Sequence, residues 1–270
     1  MTGASAEGLL DGQEQGSAVV NERGSSSILL VCEHAGRLIP KSLESLGLPD
    51  RELERHIAYD IGAEPVARRL AEKLDAALVL QRYSRLVYDC NRPPQSASAI
   101  PEISELTEIP RNRSLTEDQR RARIEAIYLP FHACVGGLID RRLGGGQPVI
   151  FVTIHSFTPA FKGVARTMHA GLLYDADRRF TDAIAPLLRA DGDLDVRLNE
   201  PYGPADGVCH TLNVHAGARG LPYAMIEIRN DLIQTESGQN EWADRLTRVL
   251  QQAAANMGRS TATAACRESA

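Results

Sequence analysis

The chain has 270 residues, with 30 basic and 35 acidic side chains and a formal charge of −5. That length suits one large α/β domain, and the lack of a basic block argues against nucleic acid as a partner. No run approaches the ~18 consecutive apolar residues of a membrane span, and the first residues lack the basic and apolar regions of a signal peptide.

Residues 1–25 are rich in Gly, Ser, Ala, Glu and Gln. A mobile tail is expected there, with a second at 258–270 and one catalytic domain over 26–257. Ile28–Cys32 is a continuous apolar run, as expected of a buried parallel strand. Ala63–Leu74 places Val66, Ala67, Leu70, Ala71 and Leu74 at helical spacing. Ala77–Leu80 and Arg85–Tyr88 read as strands, with a turn near Tyr83-Ser84 and an end at Asn91-Arg92-Pro93-Pro94.

Gln95–Arg113 is polar and aperiodic, and a segment of that length is usually functional or disordered. Thr116-Glu-Asp-Gln119 reads as a capping box. It opens a helix carrying Ile124, Ile127, Phe131, Val135 and Leu138, with a bend at Pro130 and a stop at Gly144-Gly-Gly146. Pro148–Ile154 is the expected central strand. Asp177–Leu188 reads as a helix, Leu194–Leu198 and Pro222–Ile228 as strands, and Glu241–Met257 as a closing helix. Strands alternating with helices predict a single-domain three-layer αβα fold around a mostly parallel mixed sheet.

Gly144-Gly-Gly146 precedes a strand, whereas phosphate-cradling loops follow one. No dinucleotide fingerprint or G-x-S-x-G elbow appears. The five cysteines form no C-x-x-C pair, so a reduced, cytoplasmic chain is expected. Cys32 closes an apolar run and fits a buried, inert thiol better than a nucleophile.

Three strand-like runs end in polar groups. Ile28–Cys32 leads into Glu33-His34, Ile150–Ile154 into His155-Ser156, and Tyr223–Ile226 into Glu227-Ile-Arg229. In open α/β sheets, ligands bind outside the carboxyl ends of strands. His34 and His155 with a carboxylate such as Asp60 match the two-histidine, one-carboxylate shell of catalytic zinc. Asp60 alone also suits a helix N-terminus, and His56, four residues before it, is an alternative ligand or support. Glu227, in an otherwise apolar strand, is either a general base or the ion-pair partner of Arg229 or another arginine. Arg85, Asn91 and Arg92 make a candidate carboxylate clamp, with a surface ion pair as the alternative. His132 reads as structural. The sequence does not choose among His169, His210 and His215 for a substrate contact.

Taken together, these residues resemble the N-formylglutamate amidohydrolase family. The resemblance rests on Val31-Cys-Glu-His-Ala-Gly36 with Ile39-Pro40, Asp60-Ile-Gly-Ala63, Ser84–Pro93, Ile154-His-Ser-Phe-Thr158, Arg166–Gly171, Asn199-Glu-Pro-Tyr202 and Ile226–Leu232, in family order. It implies a fold similar to that of zinc carboxypeptidases and aspartoacylases, one zinc ion, and hydrolysis of the amide of a small anionic substrate. It implies Glu227 as the general base, with Arg85, Asn91, Arg92, Arg166, His169 and Arg229 around the substrate. For N-formylglutamate the products would be formate and glutamate, at the end of a histidine-degradation route. One departure concerns the metal: those relatives use a compact His-x-x-Glu motif, but position 37 here is Arg. Asp60 is the preferred carboxylate ligand, with Glu33 as an alternative or a support.

Overall fold

The structure is a computed structural model that describes residues 9–10, 15–192 and 194–268. Seven strands form one mixed sheet: β1 (Ser17–Val20), β2 (Ile28–Cys32), β3 (Ala77–Gln81), β4 (Ile150–Phe157), β5 (Ala170–Leu173), β6 (Val196–Leu198) and β7 (Tyr223–Arg229). Their order is β1-β3-β2-β4-β7-β5-β6. The four central strands, β3, β2, β4 and β7, run parallel; β1 and β5 each pair antiparallel with an inner neighbour, and β6 runs parallel to β5. From β2 the chain steps outward to β3 and later returns to β4 on the other side. That reversal opens a crevice between the carboxyl ends of β2 and β4.

Alternation along the strands divides the core into two layers. Leu29 and Val31 of β2, Phe151 of β4 and Met225 of β7 face one layer, which holds Phe131, Val135 and Leu138 of α3 (Leu129–Gly144). Leu30, Val152 and Ile226 face the other, covered by α1 (Ala63–Leu74), α4 (Arg179–Ala190) and α5 (Glu236–Glu268). Both faces of the sheet are thus covered, as parallel strands with near-continuous apolar sequences require. The expected three-layer α/β fold is present.

Several local expectations change. The N-terminal segment carries no clear strand pattern, yet Ser17–Val20 forms an edge strand, held by ladder pairing to Gln81–Leu78. Gly258 does not begin a tail, because α5 continues to Glu268. The remaining tail positions, 1–8, 11–14 and 269–270, lie outside the described residues. Arg85–Tyr88 is a turn and not a strand: the Val87 amide donates to the Ser84 carbonyl, and the Ser84 hydroxyl donates to the Ala58 carbonyl. Its apolar side chains are buried all the same, which is what imitates a strand. β5 is not foreshadowed by the sequence, since Ala-Gly-Leu-Leu is too short to show a period.

The Thr116 capping box forms and opens α2 (Glu117–Arg123). A single π-helical stretch, Ile124–Tyr128, then joins α2 to α3 ahead of Pro130. The 95–113 segment holds a small hairpin, Ile103–Ser104 against Thr107–Glu108, and two 3₁₀ turns.

Candidate active site

The register of the central strands builds the site. Glu227 on β7 pairs across from His155 on β4. Val31 on β2 pairs with Thr153, so Glu33, two residues on, arrives beside His155 from the other side. Glu33, His155 and Glu227 share strand parity with Val31, Thr153 and Met225, and all three are buried. Cys32 has the opposite parity and packs beneath α1. Burial, with the nearby Asp60 and Glu33 carboxylates, pushes its thiol well above the usual range.

Asp60 enters from the turn that opens α1. Its amide donates to the His34 carbonyl, which ties that turn to the end of β2. Gly62 adopts a left-handed conformation (φ +79°), and a side chain there would collide with the Ile233 carbonyl. The tight turn leaves Asp60 Oδ2 2.9 Å from His155 Nδ1 and 3.4 Å from His34 Nδ1. The Ser156 amide also donates to Oδ2, at 3.3 Å.

Each imidazole has a carboxylate behind it. His34 Nε2 donates to Asp89 Oδ1 at 2.7 Å, and His155 Nε2 lies 2.9 Å from Glu33 Oε2. Both rings therefore present Nδ1 on the Asp60 side. Arg85 bridges the assembly, with Nη1 3.2 Å from Asp60 and Nη2 2.9 Å from Asp89. Burial opposes charge on every one of these groups, yet partners overcome it. The neighbouring histidines hold Asp60 well below the usual carboxylate range, and His34 with Arg85 does the same for Asp89. Glu33 and Asp60 hold His155 well above the usual imidazole range.

One ligand atom each from His34, Asp60 and His155 lies within 4.8 Å of the other two. His34 Nδ1 is buried and makes no hydrogen bond. The donor set, two imidazoles and a carboxylate, suits a divalent metal such as zinc, and carboxylates behind the imidazoles are the usual outer support of such ligands. The residues therefore fit the ion.

A family model described as N-formylglutamate amidohydrolase matches residues 26–234. The chain belongs to that family. A crystal structure of a gene product of Agrobacterium tumefaciens is 46% identical, with a TM-score of 0.90, over 93% of this chain and 99% of that one. The N-formylglutamate amidohydrolase of Ralstonia eutropha is 17% identical, with a TM-score of 0.66, over 89% of this chain and 97% of that one. This second likeness carries the fold alone. No curated protein gives a significant match. Membership in the N-formylglutamate amidohydrolase family makes the chain a hydrolase of amide C–N bonds.

A cavity of about 580 Å³ opens over the site. Glu227 lines it near His34, Asp60 and His155. Burial is the largest cause that pushes Glu227 up to about 7, and the Asp60 charge adds to it against the pull of His155. Its Oε2 is buried without a hydrogen-bond partner.

The residues expected to hold substrate separate into two groups. Arg92 and Arg166 line the cavity with N–H groups to offer. The Arg166 guanidinium lies against the rings of Phe161 and Tyr202, at 4.7 and 4.8 Å, and donates to the Tyr202 hydroxyl. Arg85 and Asn91 also line the cavity but are engaged elsewhere. Arg85 serves the two carboxylates already named. The Asn91 side chain donates to the Val208 carbonyl and accepts from the Thr211 amide, pinning a loop.

His169 and Arg229 do not line the cavity. His169 Nδ1 accepts from the Asp195 amide. Arg229 is drawn away by Asp231 and by the Thr167 and Met168 carbonyls, so it is not the ion-pair partner of Glu227. Glu33 stands outside the cluster of ligand atoms, on the far side of the His155 ring. His56 Nε2 is 3.9 Å from Asp60 Oδ1, and burial lowers its pKa to about 4. Asp89 escapes sequence reasoning. The available signal is an acidic residue inside the apolar run Leu86-Val-Tyr-Asp-Cys90.

The four described cysteines are free thiols. No described helix is long and apolar enough to cross a membrane.

Proposed function

We propose that this family member is a zinc-dependent amidohydrolase that cleaves the N-formyl or N-acyl amide of a small acidic amino acid, with N-formyl-L-glutamate as the first substrate to test. The observation that carries this reading is the pairing of His155 and Glu227 across β4 and β7, with Asp60 and His34 closing the group.

His34, Asp60 and His155 would hold the metal, with Glu33 and Asp89 fixing the two rings. A zinc ion held there polarises a carbonyl and lowers the pKa of a water. Glu227 is buried and its pKa is raised to about 7, which suits a group that accepts and returns a proton near neutral pH. It takes the proton from the attacking water and delivers it to the leaving amide nitrogen. Arg92 and Arg166 are left to bind the two carboxylates of a glutamate-like substrate, through paired N–H donors. Arg166 is preorganised by its flanking rings, so little freedom is lost on binding. For N-formylglutamate the products are formate and glutamate, which fits a step in histidine degradation. The reduced thiols fit a cytoplasmic setting.

The test is formate release from a panel of N-formyl amino acids, with metal analysis of the purified protein. N-formylglutamate and N-formylaspartate should be cleaved best, and a chelator should abolish turnover that added zinc restores. Turnover unchanged by a chelator, in protein that carries no metal, rules out the zinc reading.

A further inference from the structure

Asp89 and Arg92 are the two ends of one tight turn. The Arg92 amide donates to the Asp89 carbonyl at 3.0 Å, with Cys90 and Asn91 between them. Asp89 reaches the ligand cluster through His34, and Arg92 lines the cavity. Four consecutive residues thus join the proposed metal centre to a proposed substrate group.

The central peptide of such a turn can face either way. Type I and type II turns differ by a flip of the peptide between their two middle residues, and asparagine at the third position tolerates the positive φ of the flipped form. Asn91 holds that position, and its φ is not positive here. The peptide is gripped at both ends. The Asn91 N–H donates to Asp89 Oδ1 at 2.9 Å, and the Cys90 carbonyl accepts from His132 Nε2 at 2.9 Å. A flip would break both bonds and turn the carbonyl oxygen toward the Asp89 carboxylate.

His132 is itself held in the form that can donate. A carbonyl only accepts, so a neutral His132 carries its proton on Nε2 and leaves Nδ1 to accept from His215 Nε2, at 2.8 Å. Burial favours that neutral form. The ring lies between the His215 ring, at 5.0 Å, and the Tyr128 ring, at 4.2 Å. His215 belongs to a π-helical stretch, Leu212–Ala216, and Tyr128 ends the one ahead of α3. Such stretches are rare and recur at functional sites.

The turn also carries the loop beside the cavity. The Asn91 side chain donates to the Val208 carbonyl at 2.6 Å and accepts from the Thr211 amide at 3.0 Å. Arg92 Nη1 donates to the Asn91 and Gly207 carbonyls, at 2.9 and 3.0 Å, which leaves Nη2 and Nε for a ligand. These contacts depend on the direction of the peptide ahead of them.

We propose that His132 is a positioning residue for substrate binding: its bond to the Cys90 carbonyl fixes the Asp89–Arg92 turn and so places the Arg92 guanidinium. This rests on the reading of Arg92 as a substrate group of an amidohydrolase.

The experiment compares His132→Phe and His132→Leu, which fill the space but lack the donor, with His132→Gln, whose side-chain amide can still reach the Cys90 carbonyl. Two measurements are made on the zinc-loaded proteins. One is kcat and KM for the best-cleaved N-formyl amino acid. The other is hydrogen exchange of the Arg92 and Thr211 amides, read by NMR against the amides of the central strands. The Phe and Leu variants should raise KM about tenfold, the worth of one buried hydrogen bond. Their kcat and bound zinc should stay close to those of the natural chain. Exchange should quicken at Arg92 and Thr211 and not in the central strands, and His132→Gln should restore both readouts. An unchanged KM overturns the proposal. A rise in KM that the Gln variant shares, or quickening spread over the whole chain, also overturns it, because a residue that only fills the core gives that result. If the natural chain cleaves no N-formyl amino acid, the amidohydrolase reading falls and exchange decides the rest. Local quickening that the Gln variant reverses then sustains the grip of His132 on the turn, and its absence overturns that too.

Discussion

His34 Nε2 donates to Asp89 Oδ1 at 2.7 Å, and Arg85 holds the other oxygen of the same carboxylate at 2.9 Å. The ring is thus fixed in one tautomer, with its Nδ1 lone pair aimed at the Asp60 side. Asp89→Asn keeps the shape but weakens this bond and removes a charge. Zinc affinity should fall about 10- to 100-fold, measured by competition with a chromogenic chelator. The far-ultraviolet circular dichroism should stay unchanged. An unaltered affinity would mean that Asp89 serves only Arg85 and the Asn91 backbone N–H, which donates to its Oδ1 at 2.9 Å.

Glu227→Gln is nearly isosteric and removes the proton acceptor. kcat should drop by roughly 10²- to 10⁴-fold, with KM and bound zinc close to those of the natural chain. Near-normal turnover in a folded, metal-loaded variant would show the general-base assignment to be wrong.

Cys32→Ala should keep most of the activity. The thiol faces the layer away from the cavity and is raised well above the usual range by burial. It should also resist alkylation in the native state. Rapid labelling that tracks with loss of turnover would reopen a nucleophilic role.

Gly62→Ala forces a left-handed alanine against the Ile233 carbonyl. The cost should be at least ~2 kcal/mol in urea unfolding. Because the same turn carries Asp60, zinc affinity should fall as well.

Acid stability depends on a histidine cluster outside the site. His132 shares hydrogen bonds with His215 (2.8 Å) and the Cys90 carbonyl (2.9 Å), and His210 pairs with the Tyr128 hydroxyl. Burial, reinforced by His132, lowers His210 to about 4 and His215 to about 3; burial also lowers His132. In the unfolded chain these groups protonate near ~6.5. The unfolded state therefore binds more protons below that pH, and stability should fall steadily from about pH 6.5 toward pH 4.

Glu227 acts with the opposite sign there, since its raised folded pKa favours the protonated native form between ~4.3 and about 7. Urea midpoints are therefore best compared in the Glu227→Gln background, where adding His215→Leu should flatten the slope. A midpoint that does not change from pH 7 to pH 4.5 would mean that the cluster is not held neutral.

The positions that chemistry needs are more legible in the sequence than the contacts that orient them. Glu33-His34, His155 and Glu227 stand out because a β-branched or apolar run that ends in an ionisable group has few purely structural explanations. Asp60 stands out less, since a carboxylate ahead of a helix has an ordinary use. The two-layer core follows from runs such as Ile28–Cys32, whose length excludes a helix. Arg85 and Asn91 are harder to read, because sequence shows a donor but not whether a neighbour has already taken it. Asp89 and the turn at Arg85–Tyr88 are hidden for a related reason: buried loops can be as apolar as strands. Ser17–Val20 is obscured by a polar surrounding composition that edge pairing tolerates.

The row Glu33, His155 and Glu227 has a consequence for assembly. These groups become neighbours only when three strands drawn from distant parts of the chain lie side by side. Two carboxylates and an imidazole forced together in the dry interior repel or attract strongly, so the last strand to dock feels the charge state of the other two. Of this row only His155 belongs to the ligand set, but its partners His34 and Asp60 sit at the end of β2 and ahead of α1, so a divalent ion bound at that moment would latch β4 to β2. Refolding of this chain should accordingly be faster or more complete with zinc present from the start than with zinc added after dilution from denaturant.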